Sequence, residues 1–439
     1  MLRVSRFGAG SLAAIILSLM FADAWAQSTQ PTQPGGTQTR PGTTQEQLPP
    51  QDIRPPLIEP TPQAMSYPLE FLGLLAPPPG AATLVPSLSV TEEYISNVFF
   101  SSSNPEWDLV TSFIPAVALF INQPRYRLIA GISTSADLYA RDSSLNNGFG
   151  RGNLTLAGDF TATRDLTLRL AETLAADRNT GSTGAFSVGR QLSLTNLLTP
   201  GLRWQITPRS AIDGYMTYGV RRFFGDGVGV NSDEYLLQTT YEYGFTSRFT
   251  GNLGYGFTFL HTDGLDDSAT HTPTVGFGYR LTPALTVNIN GGPAITIISG
   301  ETFVSPAGNV SITQVFRAGT VNLQYIRGVT VAGGFGGTTD NQTAVATVVM
   351  PTWIRDLIFL FSPSWEKSEA IDNSQASQVD VEAFRITLGL SYRLSRYVNI
   401  FGGYDYIRQR TGSKSTIQVD GDQNRVRVGI QVGYPFSLD

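Results

Sequence analysis

From about residue 86 to its end the chain alternates between apolar and polar positions. The last stretch is the clearest. Val426, Val428, Ile430, Val432, Tyr434 and Phe436 share one parity with Asn424, while Arg425, Arg427, Gly429, Gln431 and Gly433 share the other. Successive side chains of a strand point to opposite faces, so this segment presents an apolar, aromatic-tipped face and an Arg/Gln face. Segments opening at Leu166, Ile212, Tyr235, Phe249, Leu285 and Phe384 repeat the pattern. Beyond Leu84 no window of a dozen residues keeps a helical apolar stripe free of Gly and Pro. A soluble up-and-down barrel needs about eight strands and an apolar interior. Many strands with an apolar outside and a polar inside are what a bilayer demands.

The connections alternate as well. Tight ones at Gln123-Pro124-Arg125, Thr163-Arg164-Asp165, Thr207-Pro208-Arg209, Thr246-Ser247-Arg248, Thr282-Pro283, Arg355-Asp356 and Ser395-Arg396 take turns with looser polar ones near 141–150, 179–190, 225–233, 367–379 and 409–423. Short turns on one rim and longer loops on the other predict a transmembrane antiparallel up-and-down β-barrel with its short turns in the periplasm. Parity sets the strand number. For the turns at Arg355 and Ser395 to share a rim with the earlier ones, 309–328 must hold two strands broken near Arg317-Ala318-Gly319. That predicts eighteen strands, or sixteen if the break is illusory.

The start of the chain is different material. Arg3 and Arg6, an apolar run from Ser11 to Phe21 and Ala24-Trp25-Ala26 form a secretory signal with cleavage expected after Ala26. The apolar run is too short to span about 30 Å of hydrocarbon. Residues 27–83 begin rich in Pro, Thr, Gln and Gly and poor in large apolar residues, which predicts a disordered tether. A short apolar patch at 65–75 reads first as a sticky linker end, and alternatively as a dock for the barrel mouth or a periplasmic partner. The barrel is expected over 84–439. Cysteine is absent, so an exported chain needs no disulfide framework. Charged residues are only 15 %, against nearer 25 % in soluble domains, as expected when one strand face meets lipid. A net charge of −5 argues against nucleic acid as a partner.

Pro86-Ser87-Leu88-Ser89-Val90, Glu93-Tyr94 with Asn97, Ile114-Pro115, Tyr126-Arg127-Leu128 and Tyr139-Ala140 resemble the opening of an outer-membrane β-barrel family often called beta-barrel porin type 2. Ile326-Arg327-Gly328-Val329 with Gly333-Gly334 and Gly336-Gly337 resembles a later strand and glycine loop of that family. The similarity covers about 84–436 and rests on strand-pattern residues. It implies an outer-membrane barrel, an association of some members with exopolysaccharide systems, and no catalytic motif.

On the inward parity, Arg127, Arg169, Arg203, Arg221, Arg280, Arg385, Arg393, Arg425 and Arg427 face Asp137, Asp159, Asp177, Asp213, Glu242 and Asp405. Arginines in a constriction grip carboxylate or phosphate and bias a pore toward anions, unless they pair across strands and merely hold the wall. Arg425 and Arg427, with Arg127 near the other end of the sheet, are the first candidates for a lumen cluster. Glu172 falls on the outward parity, so a bulge or a position near the headgroups is expected there. Phe436 is the candidate aromatic read by the barrel-assembly machinery, with a three-residue tail behind it. His261 and His271 flank Asp263, Asp266 and Asp267 in one expected loop, but the spacing fits no metal motif. No nucleophile elbow or phosphate loop is present. The expected function is a channel for hydrophilic solutes or an exported polysaccharide, without cofactor or catalysis. The alternative is a non-conducting structural or adhesion barrel.

Overall fold

The computed structural model describes residues 82–438 apart from 179–185, 188–189, 226, 332, 372–378, 414 and 416–417. The expected signal peptide lies outside the described residues, as does the tether up to residue 81. The first strand starts at Ala82, slightly ahead of the expected barrel boundary at 84.

The strands are β1 (Ala82–Ile95), β2 (Asp108–Asn122), β3 (Tyr126–Tyr139), β4 (Asn147–Thr161), β5 (Leu166–Asp177) and β6 (Leu192–Thr207). They continue as β7 (Ser210–Phe224), β8 (Ser232–Gly244), β9 (Phe249–Thr262), β10 (Ser268–Thr282), β11 (Leu285–Ile298) and β12 (Glu301–Phe316). The set ends with β13 (Gly319–Val331), β14 (Thr338–Pro351), β15 (Leu357–Ala370), β16 (Asp380–Arg393), β17 (Val398–Thr411) and β18 (Gly421–Gly433). A two-residue segment, Phe436–Ser437, resumes β18 past Pro435 and also pairs with β1. Each strand pairs antiparallel with its sequence neighbours, and β1 closes on β18 from Ser87↔Gly433 to Ile95↔Arg425. The fold is therefore a closed eighteen-stranded up-and-down barrel. The break expected near Arg317 separates β12 from β13.

Short turns follow the even strands and recur by one device. Thr163, Thr207, Thr246, Thr282, Thr352 and Ser395 each accept, through the side-chain oxygen, the backbone N–H two residues on, at 3.1–3.3 Å. A hydroxyl that satisfies the turn's free donor lets the chain reverse within a few residues.

The two faces follow the parity. One carries large apolar side chains exposed to the surroundings, such as Ile132, Leu253, Val275, Val304 and Val428. The other makes contacts through the interior: Thr338 Oγ1 on β14 donates to Ser268 Oγ on β10 at 2.7 Å, four strands away. The exterior is therefore the apolar face. On β18 it runs from Tyr434 to Asn424, ten residues apart. At about 3.3 Å per residue and a tilt of about 40° this spans roughly 25 Å, the apolar height of a transmembrane barrel. Aromatic rings border the belt, with Tyr126, Trp204, Tyr279 and Tyr434 toward the short turns and Tyr94, Trp107 and Tyr235 toward the loops. This is a transmembrane barrel of the outer-membrane type.

The strands rise further toward the long loops than the sequence pattern indicates. β4 begins at Asn147, β15 runs to Ala370 and β17 to Thr411, inside stretches expected to be loops. Above the apolar belt both faces are wet, so alternation vanishes while the hydrogen-bond ladder continues. Outward ion pairs mark this collar: Arg222–Asp233 at 2.7 Å, Arg327–Asp340 at 2.6 Å and Arg410–Asp422 at 2.7 Å.

Glu172 departs from both expectations. Its register is continuous, with Leu156 on β4 and Leu198 on β6, so no bulge turns it inward. It also sits mid-strand, away from either rim. Asn196 Nδ2 on β6 instead donates to its carboxylate at 3.3 Å on the same outward face, which offsets part of the cost of a carboxylate beside lipid.

Candidate functional site: the lumen wall

The site is the inner face of the barrel. The inward parity brings Arg127, Arg169, Arg203, Asp213, Arg221, Glu242, Arg280, Arg385, Arg425 and Arg427 onto this face, opposite the exposed apolar rows. They do not form one cluster.

On β4–β8 five of the charges make a ladder. Arg169 Nε lies 4.0 Å from Asp159, and its Nη1 donates to Asp213 at 2.9 Å. Arg203 lies 3.4 Å from Asp213 and 2.8 Å from Glu242. Arg169 reaches β7 across β6 because its register partner on β6 is Gly201. A Cβ at Gly201 would stand 3.1 Å from the Gly214 carbonyl and 3.2 Å from Tyr215 Cβ. The charges therefore alternate in sign along the wall, and each arginine lies between two acids.

A second set stands at the closing seam. Arg427 Nη2 on β18 donates to Glu93 on β1 at 2.7 Å, and Arg425 Nε donates to Gln423 Oε1 at 2.6 Å. Gln423 in turn donates to the Asn97 carbonyl at 2.5 Å, tying β18 to the first loop. Nearby on the wall Arg151 pairs with Asp137 at 3.0 Å, a carboxylate that also accepts from Ser112 at 2.7 Å and from Ser135.

A third set bridges opposite walls. Glu366 on β15 is buried and accepts from Asn341 Nδ2 at 2.7 Å. Arg385 of β16 and Arg221 of β7 both lie close enough to act on its charge, and Arg221 interacts with Glu234 of β8 as well. β7 and β15 lie on opposite sides of the barrel, so these charges act on one another across the lumen. Arg127 and Arg280 stand at the short-turn end and form no ion pair within 4.0 Å among the described residues, although Asp159 lies opposite Arg127 in the β3–β4 register.

The arc from β9 to β14 is different. Its inward positions are largely Thr, Asn, Ser, Gln and Gly, including Thr270, Asn288, Asn309, Ser311, Asn322 and Gln324. Thr270–Thr296 at 3.0 Å and Asn322–Thr313 at 2.9 Å are among its contacts. Apart from Arg280 at its short-turn end, such a wall offers donors and acceptors that carry no charge.

Toward the long loops, side chains fold inward. Phe186 and Phe335 pack edge to face, with ring centroids 6.5 Å apart, against Val379, Val381 and Ala383. Ser187 N donates to Gln409 Oε1 on β17 at 2.7 Å, and Gln409 returns a bond to the Ser187 carbonyl at 2.9 Å. Val230 N donates to the Gly334 carbonyl at 2.8 Å, linking two more loops. The loop-side mouth is therefore constricted by a dry cluster.

Glu93, Glu234 and Glu366 were missing from the sequence-derived set. For Glu366 the signal was present: in β15 Phe359, Phe361 and Trp365 define the outward parity, which puts Glu366 inward. The histidines do not form one site. His261 binds Asp267 at 2.6 Å at the top of β9, while His271 lies on the outward face of β10 against Tyr255 OH at 2.7 Å. No metal-ligand cluster occurs among the described residues. Phe436 pairs with Leu84 at the foot of the seam and packs on Tyr434, with centroids 4.8 Å apart.

No protein-family model and no curated protein matches the chain in sequence, so the family resemblance rests on the strand residues quoted above. The chain is similar to several solved structures at low identity. One is Pseudomonas aeruginosa OpdK with vanillate, at TM-score 0.43 and 11% identity, covering 80% of this chain and 99% of that one. Pseudomonas aeruginosa OccK2 (OpdF) gives TM-score 0.43 at 12% identity, covering 82% and 98%. Acinetobacter baumannii OccAB4 gives 0.42 at 12% identity, covering 82% and 100%.

Proposed function

We propose that this protein is an outer-membrane channel that passes small hydrophilic solutes through a polar lumen. The observation that carries the reading is the division of the wall into an arc of self-neutralising Arg/acid pairs and an arc of amides and hydroxyls. Eighteen strands enclose enough space for an aqueous path beyond what side chains fill. The neutral arc replaces water's hydrogen bonds to a sugar-like solute, and the paired arc leaves little net field to reject either sign of ion. The same wall suits a polysaccharide chain, but that version rests only on the family resemblance. In this reading the short turns face the periplasm, the N-terminal segment is cleaved after Ala26, and residues 27–81 act as a tether on the periplasmic side.

A second reading, a non-conducting barrel, is favoured by the dry cluster around Phe186 and Phe335. One variant separates the two. Phe335→Ala removes the ring at the centre of the cluster, where Phe335 is fully buried. In a planar bilayer the channel reading expects openings in the unaltered protein and a larger conductance in the variant. Silence in both, with an intact barrel, supports the structural reading.

A further inference from the structure

Seven of the eight short turns carry an arginine: Arg125, Arg164, Arg209 and Arg248 on the first four, then Arg317, Arg355 and Arg396. All seven are exposed. Two aspartates, Asp165 and Asp356, are the only acids in these turns. The described residues of the opposite loops have the reverse balance, six acids against Arg141, Arg178 and Arg190. The barrel thus carries a basic ring on one rim only.

These arginines also differ from those of the lumen. Arg125, Arg164, Arg209, Arg248 and Arg317 have no side-chain partner among the described residues, while Arg355 meets only the neighbouring Asp356, at 3.5 Å. Each stands beside the lower aromatic border. Tyr126, Phe249, Phe316 and Tyr397 adjoin Arg125, Arg248, Arg317 and Arg396, the last with its guanidinium 4.6 Å over the Tyr397 ring. Trp353, two residues from Arg355, is 95% exposed. Aromatic rings of this kind sit at headgroup depth, and a guanidinium beside them reaches the phosphate plane.

We propose that the short-turn rim is a docking collar for anionic phospholipid headgroups, the turn arginines holding their phosphates in the adjoining leaflet. The inference rests on the membrane-spanning reading. A guanidinium presents a planar fork that matches phosphate oxygens, and a basic residue at an anionic surface gains about 1 kcal/mol. The ring supplies seven such groups in one plane. A single copy therefore gathers anionic lipid on one side of the bilayer, which favours one insertion direction.

The full chain, purified in detergent, is reconstituted with equal phosphatidylcholine and phosphatidylglycerol, and the lipid retained on the barrel is counted by native mass spectrometry. The expected result is phosphatidylglycerol enrichment of about fivefold per site, falling to the bulk ratio when the seven arginines become glutamine. Lysine at the same positions restores most of it. Heat-modifiable migration, read in parallel, reports whether each variant is a folded, inserted barrel. Unchanged enrichment in the folded glutamine variant overturns the proposal, as does absence of enrichment in the unaltered protein. Enrichment of a soluble acidic peptide or of inorganic phosphate in place of lipid overturns it too, by giving the collar another occupant. If the unaltered chain never inserts, the membrane reading fails first and the collar fails with it.

Discussion

The same residue type does two different jobs in two places. In the lumen Arg169, Arg203 and Arg427 are each held by carboxylates at 2.7–2.9 Å. On the short-turn rim Arg125, Arg164, Arg209, Arg248 and Arg317 are exposed and meet no carboxylate among the described residues. A paired guanidinium stiffens a wall and cancels its own field, while an unpaired one is free to bind something else. Neighbours, rather than residue counts, decide which arginines recognise a ligand. The inward parity alone, with nine arginines against six acids, suggests an anion-selective pore. The pairing distances argue instead for a lumen close to neutral.

The comparison is broken most severely by placing an arginine on the third surface, where neither acid nor phosphate is available. Val275→Arg puts a guanidinium in the middle of the lipid-facing row of β10, between Leu253 and Gly291, and is expected to destabilise the barrel by about 2–4 kcal/mol. Urea titration of the folded barrel in lipid vesicles measures it; a change within about 0.5 kcal/mol means that this face does not meet lipid. Next comes the loss of one rung of the lumen ladder. Arg203→Ala leaves Glu242 without its ion-pair partner in a partly solvated wall, while Asp213 keeps Arg169, at an expected cost of about 1–2 kcal/mol. The double variant Arg203→Ala/Glu242→Ala is expected to recover part of that, and full additivity in the cycle would show that the pair is not coupled.

Glu172→Gln removes a carboxylate placed mid-strand on the outer face while retaining a hydrogen bond with Asn196. It is expected to stabilise the barrel by up to about 1 kcal/mol, and a clear loss of stability contradicts its lipid-facing placement. The smallest effect belongs to the rim. A single Arg209→Gln change touches no partner and is expected to shift stability by less than about 0.5 kcal/mol, so that only lipid preference registers it.

Much of the fold was legible in the chain because a membrane barrel writes its two solvents into alternate residues. Turn parity favoured eighteen strands over sixteen and located the break that falls between Phe316 and Gly319. The tops of β4, β15 and β17 were not legible, since above the lipid both faces are wet and the code stops. Pair partners were legible only within a strand's parity. That Arg169 reaches past Gly201 to Asp213 depends on a glycine in the strand between them, and that Arg221 acts on Glu366 across the lumen depends on barrel closure, which brings residues more than a hundred positions apart onto facing walls. The Glu172–Asn196 contact escaped for a similar reason, because the outward parity of β6 had to be set against that of β5. The turn arginines were visible in the sequence, but their lack of partners was not.

Single-channel recording of the refolded chain from Gln27 onward, in a planar bilayer, tests most directly whether the lumen is a near-neutral aqueous path. Discrete openings are expected, with anion and cation permeabilities within about twofold of each other because most of the lumen charges are paired. A silent barrel that is nonetheless folded and heat-modifiable, or one that passes only anions, contradicts the reading of a neutral open channel.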